Sequence, residues 1–593
     1  MSLTKVQNKK ILYLQITAVF LAWIISLFIS RNVFFRPLSG TSHEWLTGHT
    51  LVSIRAFEEW GFFRLFGVSG LMPRTYEFLN IDITRLTKTE GIYLSYPSFW
   101  LILPYMVFKA LKSAQLIHQL TPQFIFIYNL VMDRLFCGLA VFGIYLQISK
   151  RLLAGRLKNT AIYLAAYLGL LGWMFNPSVL YWTQNIYFAD QAVLLPLYVI
   201  FFLLLRVDFD ADRLTGKHYP SIFFILSFLA CGIDYYGAAG VIFFWFITRK
   251  SKISRSLFLG AVTAGLIYLA QLIYFKDGFH QIAEVGFHRT LDMHDEVNHS
   301  LTNDYILMYV VEYWTLTLPR IYFSIFSFLG GVHVDSVVLL CVLGVLFGSL
   351  TFIHKGDTRQ NFFKWVYLFL FAVPVAQIFI LKQHSLIHNF SSFKLMLGVT
   401  FLSLVWPVSA LFLLITKLCR SVKETHRDQI CNAIFYVLSA ILAGIIISSS
   451  MPQFDIESGR LNPDKIEYGR LLEKNFSDND LLMEDCPICG SRVSYFFPWN
   501  LRVRPYPQPD VMWYSHKAVY YYKELAYLTA KGILNVDHLS KMQPVFLSYK
   551  DETEDTAADL FCSDQWVELK EKILGRTVVV CRSPELKKLY MKS

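Results

Sequence analysis

Glu44 stands in the sequence His43-Glu44-Trp45, just beyond an apolar run. A carboxylate beside aromatics and near a bilayer can gain proton affinity and act as a general base toward a hydroxyl. The plain alternative is a solvated acid in a polar loop. Asp190 follows Asn185-Ile186-Tyr187-Phe188-Ala189 and precedes another apolar run. It reads equally as a helix N-cap and as a second acid that binds an acceptor or a metal. Asp234 lies inside an apolar stretch, where a charge is costly unless paired or hydrated. It either lines a cavity or belongs to a structural ion pair.

His384 and His388 are four residues apart and would share one helix face. Lys382 and Lys394 bracket them. That set suits a phosphate contact through compact ammonium charges, or a metal. Arg289, beside His288, is a further phosphate candidate. Asp292, His294, Asp295, Glu296 and His299 could assemble a metal site nearby, or a mixed-charge surface. Cys486-Pro-Ile-Cys489 is half of a zinc ribbon, but Cys562 and Cys581 stand too far apart to complete it. Disulfides are the better reading in an oxidising compartment, with three pairings open. There is no phosphate-binding glycine loop, dinucleotide fingerprint or Ser-His-Asp arrangement.

The elements that must position these groups are membrane helices. Of the 593 residues 54% are hydrophobic and only 17% charged, well below the quarter usual in soluble domains. Continuous apolar runs near 20 residues long recur, which excludes a membrane β-barrel. The reading is a polytopic α-helical membrane protein with roughly 11–13 transmembrane helices. Residues 1–450 form the transmembrane domain, including an external loop at residues 40–97. Residues 451–593 form an extracytoplasmic soluble domain of α/β or α+β type. The net charge of +11 fits cytoplasmic loops rich in Lys and Arg, and no nucleic-acid module is present.

Lys5, Lys9 and Lys10 precede the apolar run at residues 11–29, which reads as a retained helix with a cytoplasmic N-terminus. The loop at 40–97 is then outside. It carries an amphipathic run, Leu51, Ile54, Phe57 and Phe63, broken by Arg55, Glu58 and Glu59. Residues 97–146 read as one short and one long helix, or a re-entrant pair. Residues 221–247 are too short for two full spans. They predict two short helices turning near Gly232, Asp234 and Gly237. Positive-inside placement puts Glu44, Asp190, His384, His388 and the C-terminal domain on one side. In that domain, residues 544–549 and 577–581 predict strands, and 518–531 and 564–572 predict helices.

The external loop resembles that of the GT-C superfamily of membrane glycosyltransferases. The resemblance lies in Glu44, the amphipathic run after it, and Tyr93-Leu94-Ser95-Tyr96-Pro97 before the next helix. His384-Ser-Leu-Ile-His388-Asn-Phe is similar to histidine-bearing outer loops of the same group. Protein O-mannosyltransferases and lipid A aminoarabinose transferases have comparable loops. The former carry an Asp-Glu pair where this chain has His43-Glu44. The latter have paired prolines where this chain has Tyr96-Pro97-Ser98.

The resemblance implies inverting transfer of a sugar from a polyprenyl-phosphate donor to an acceptor hydroxyl, with Glu44 as the activating carboxylate. Asp190 is then the second catalytic candidate, and His43, Tyr93, Tyr96 and Asp234 the substrate contacts. His384, His388, Lys382, Lys394 and Arg289 would hold the donor phosphate. No cofactor is required, although a divalent metal is permitted. Expected partners are the lipid-linked donor, a glycan, lipid or protein acceptor, and membrane lipids, but no nucleic acid. The expected location is a bacterial inner or plasma membrane, with the active site outside the cytoplasm. The rival readings are a transporter or flippase of a lipid-linked saccharide, and a polysaccharide polymerase or ligase.

Overall fold

The computed structural model describes residues 2–30, 38, 45–71, 82–86, 91–153, 159–185, 187–214, 216–283, 358–380, 393–419, 424–458, 463–484, 513–516, 519–521, 541–549, 562, 565–573 and 576–589. Its helices in chain order begin with α1 (Ser2–Ile29), α2 (Trp45–Ala56), α3 (Phe99–Ser113), α4 (Pro122–Leu153) and α5 (Asn159–Met174). Then come α6 (Pro177–Asn185), α7 (Ala189–Leu205), α8 (Tyr219–Ile233), α9 (Tyr235–Thr248) and α10 (Lys252–Tyr274). The last are α11 (358–380), α12 (Phe393–Leu418), α13 (Glu424–Ser458) and α14 (Pro463–Asn475). Two compact units result. One joins Met1–Phe35, Phe126–Leu266 and Glu284–Gly459; the other joins Arg36–Ile125, Ile267–Ala283 and Arg460–Ser593.

The first unit is helical. Among the described residues, α4, α10, α12 and His426–Ser448 within α13 are long and apolar enough to cross a membrane. Each also carries exposed large apolar side chains. Phe258, Leu259 and Leu266 of α10 are exposed, as are Val437, Ile441 and Ile445 of α13. Apolar stripes this long are unsuited to water and suited to lipid. Of the two helices expected over residues 97–146, the short one is α3, in the second unit, and the long one is α4. Gly169 lets α5 pack closely, since a Cβ there would lie 2.4 Å from Val405 Cγ2 and 2.8 Å from Tyr145 Cδ2. The Tyr145 hydroxyl then donates to the Leu397 carbonyl at 2.9 Å, tying α4 to α12.

The second unit contains the described part of the external loop. Leu51, Ile54 and Phe57 are buried, as the amphipathic run predicts, but Phe63 is 88% exposed. The chain leaves α2 through a π-helical turn, Phe57–Gly61, which rotates Phe63 off the buried face. Two short strands, β1 (Ser69–Gly70) and β2 (Ile92–Tyr93), pair antiparallel and bring the loop back to α3. The C-terminal sheet has β3 (Asp480–Glu484), β4 (Val519–Tyr521), β5 (Gln543–Tyr549), β6 (Val567–Ile573) and β7 (Arg576–Cys581) in the order β4-β3-β5-β7-β6. β4, β3 and β5 run parallel, while β7 and β6 are antiparallel additions. Leu471, Leu472 and Phe476, in and just after α14, bury against Leu482, Val545, Leu547, Val578 and Val580. This is an α/β layer. Cys562 and Cys581 form a disulfide; Cys486 and Cys489 lie outside the described residues.

The helix expected at 564–572 fails, since residues 567–573 form strand β6. Of the helix expected at 518–531, residues 519–521 form strand β4 and residues 522–531 lie outside the described residues. Val567-Glu-Leu-Lys alternates apolar and polar residues, the strand period. A bulge between Glu568 and Lys572 breaks the alternation and hides it from a local reading.

Glu58 holds α3 against the turn after α2. Lys109 and Lys112 donate to its two oxygens at 2.7 and 2.6 Å. Burial alone would raise the Glu58 pKa, but the two lysines outweigh it and lower the pKa below 4.5. A depressed acid stabilises the fold above its unfolded value and loses that contribution as pH falls through the folded value. Both lysines are about half exposed, so the contribution is at most about 1 kcal/mol. Thermal unfolding of the wild-type protein is expected to lose this increment below about pH 4.5, and Glu58→Gln to lose it at neutral pH already. An identical pH profile for the two proteins would contradict the assignment.

Candidate functional site

Three helix starts meet in the first unit. α8 ends at Asp234, which takes an extended conformation (φ −152°, ψ 153°) and then caps α9 by accepting from the Tyr236 backbone N–H at 3.2 Å. The break allows a tight crossing of the two helices. A Cβ on Gly237 would lie 1.9 Å from the Ala230 carbonyl oxygen, so only glycine fits. Asp190 sits in the first turn of α7, where the helix dipole favours an anion. Lys394 sits at the start of α12, where the dipole disfavours a cation. Two carboxylates compensate it.

The Lys394 Nζ lies 2.6 Å from Asp190 Oδ1 and 2.9 Å from Asp234 Oδ2. It also rests over the Tyr236 ring, 5.1 Å from the centroid. All three charged side chains are buried. One ammonium between two carboxylates carries a net charge of −1 when all are ionised. Thus three residues placed in separate roles by the sequence form one cluster.

A second polar cluster was not anticipated. The π-helical segment Leu130–Phe136 interrupts α4 and carries Asp133 and Arg134; such bulges recur at functional positions. Arg134 is fully buried. Its guanidinium donates to Thr183 Oγ1 at 2.8 Å, Ser30 Oγ at 2.7 Å and the Leu180 carbonyl at 2.6 Å. It thereby binds α4 to α6 and to the end of α1. Asp133 is also buried, and its Oδ2 has no hydrogen-bond partner among the described residues. Tyr128 and Tyr187 lie nearby with ring centroids 5.3 Å apart. The signal available in the sequence is a charged doublet within a long apolar run, a default functional candidate in a membrane helix.

Arg134→Met is expected to cost about 1–3 kcal/mol, because the fixed acceptors lose their donors. Thermal unfolding in detergent checks it. Arg134→Lys is expected to restore only part, since one ammonium cannot span three helices as a planar fork does. Wild-type stability in both variants would contradict this bracing role.

In the second unit Tyr93 is half-buried and Tyr96 buried. Tyr93 meets the edge of His49, 5.0 Å between centroids. His49 Nε2 lies 2.6 Å from Ser69 Oγ, and Ser53 Oγ lies 2.9 Å from the same hydroxyl. His49 is buried in this network and was not singled out in the sequence. Glu44, His43, Lys382, His384, His388 and Arg289 lie outside the described residues. Among the described residues no group of three or more His, Cys, Asp or Glu is placed to hold a metal.

No known family model and no curated protein matches this chain. Solved structures similar to it are those of ArnT from Cupriavidus metallidurans. The form bound to undecaprenyl phosphate has TM-score 0.49 and 11% identity, with 96% of this chain and 97% of that one covered. The apo form has TM-score 0.44 and 11% identity, with 99% and 100% covered. ArnT is a lipid A aminoarabinose transferase of the GT-C type.

Proposed function

We propose that this protein is an integral membrane glycosyltransferase that moves a sugar from a polyprenyl-phosphate donor to an acceptor hydroxyl outside the cytoplasm. The observation that carries the reading is the buried Asp190–Lys394–Asp234 cluster at three helix starts. Ionisable groups buried among membrane helices are costly and are kept where they serve a function. In the reaction Glu44 takes the proton of the acceptor hydroxyl. The acceptor oxygen attacks the anomeric carbon from the face opposite the phosphate. The bond from that carbon to the phosphate oxygen breaks, and polyprenyl phosphate leaves with the electron pair.

Lys394 is engaged by two carboxylates, so the donor phosphate falls first to Lys382, His384, His388 and Arg289. Lys394 fixes Asp190 and Asp234, leaving Asp190 as the second acid. Cationic groups stabilise the leaving phosphate without requiring a metal. The Cys562–Cys581 disulfide supports an oxidising, extracytoplasmic setting for the C-terminal domain and a bacterial inner or plasma membrane location.

The helix break at Asp234 favours one second reading, a transporter of a lipid-linked saccharide. A single experiment separates the two. Purified protein is reconstituted in proteoliposomes with radiolabelled polyprenyl-phosphate sugars and a glycan acceptor fraction. Transfer of label to the acceptor supports the glycosyltransferase. Movement of labelled lipid across the bilayer without transfer supports the transporter.

A further inference from the structure

A strongly apolar turn of the second unit exposes Phe63 and Phe66 among the described residues. It runs from Phe62 to Val68 and is closed by backbone bonds from Phe66 to Phe63 and from Gly67 to Phe62, at 3.1 and 3.0 Å. Phe66 adopts a left-handed conformation, φ 51°, which a bulky residue rarely takes. Phe63 projects from the turn and is 88% exposed. A phenyl ring that is this exposed would meet unfavourable solvent in an aqueous loop.

The turn is fixed to the end of a lipid-facing helix. The ring of Phe66 lies 5.4 Å from that of Tyr274, the last residue of α10. The Tyr274 hydroxyl donates to the Arg64 carbonyl at 3.2 Å. Gln271, one turn earlier, donates to the Phe66 carbonyl at 3.0 Å. On the same stretch Ile273 is 66% exposed, continuing the apolar stripe of α10. The end of a spanning helix lies at the headgroup level, where Tyr and other amphipathic side chains concentrate. Bonds to Tyr274 and Gln271 therefore hold the turn at that level. Arg64 stacks over the Trp60 ring, 5.3 Å from its centroid, and suits a side chain whose charge reaches phosphates from an apolar base. Met106 of α3 is exposed three residues before the first of a pair of lysines, Lys109 and Lys112.

We infer that the Phe62–Val68 turn is a bilayer anchor: Phe63 inserts into the interfacial layer of the membrane and sets the depth of the external loop unit. The partner is the lipid surface, reached by continuity with the lipid face of α10, and not another protein. Insertion removes the Phe63 ring from water while Arg64 and the α3 lysines remain among headgroups.

Site-directed spin labelling tests this in the full-length protein in phospholipid bilayers. Nitroxides are placed by Phe63→Cys, Leu266→Cys and Glu568→Cys, and the signal of the labelled unsubstituted protein is subtracted. Phe63 is so exposed that its replacement disturbs little packing. Leu266 reports the lipid face of α10 and Glu568 the exposed edge of the C-terminal sheet. Oxygen and a water-soluble nickel chelate measure accessibility. The expected result is a label at 63 that oxygen reaches, that nickel reaches less than at 568, and that lies about 5–10 Å into the interface. Nickel access equal to that at 568 would overturn the inference in favour of an aqueous loop. Exclusion of both reagents would overturn it in favour of a protein-covered surface, and a depth equal to that of 266 in favour of a spanning segment.

Discussion

Glu44→Gln is expected to lower the turnover number by about 10²–10⁴-fold while donor affinity stays unchanged. The amide matches the carboxylate in size and polarity but cannot accept a proton. The loss therefore falls on proton removal from the acceptor and not on binding, and a split between kcat and KM identifies it. Wild-type and variant proteins matched for thermal stability and for donor binding provide the comparison. Equal turnover would exclude Glu44 as the base and transfer the role to Asp190. Asp190→Asn would then carry the rate loss, with Glu44→Gln inert.

Lys394→Met carries the largest expected stability change. Removing the ammonium leaves the Asp190 and Asp234 carboxylates buried without the cation they share. Breaking a buried pair in this way costs about 3–5 kcal/mol. The remedy is equally specific. Adding Asp190→Asn and Asp234→Asn to Lys394→Met removes the charges together and is expected to restore most of the loss. Asp234→Asn alone leaves one ammonium opposite one carboxylate, and Asn is a good N-cap for α9. Its expected cost is small, whereas Asp234→Ala removes the cap as well and adds about 1 kcal/mol. Chemical unfolding in detergent gives the ordering. A Lys394→Met protein as stable as wild type would mean that the cluster is not held as an ion pair.

These two variants separate rate from architecture. Glu44 is assigned a proton transfer, so its amide variant is read through rate. Lys394 is a member of a buried network, and its loss is felt by three helices. A change in transfer rate from Lys394→Met alone would therefore not assign it to phosphate binding. Recovery of stability in the triple variant would assign Lys394 a structural role, whereas its rate also reads the loss of Asp190.

Much of the architecture was legible in the chain itself. Apolar runs long enough for a bilayer specify helices because a helix satisfies its own backbone groups within the segment. The same local rule exposed the break at Asp234, since residues 221–247 are too few for two spans and Asp, Gly and Gly mark a turn. Residues 544–549 and 577–581 were readable as strands from β-branched and apolar residues.

What the tertiary structure alone decided is pairing. Lys394 reaches Asp190 across 204 residues and Asp234 across 160. No local spacing encodes those meetings, because they depend on which helix starts converge. Arg134 finds acceptors on α1 and α6, again by packing. β6 is a strand because β7 supplies its hydrogen-bond partners, although its sequence also suits a helix. Phe63 faces outward because a π-helical turn shifts the register after Phe57. Helices follow from nearby residues since their hydrogen bonds are nearby. The partners of buried charges and edge strands follow from distant ones, and only the folded chain brings those together.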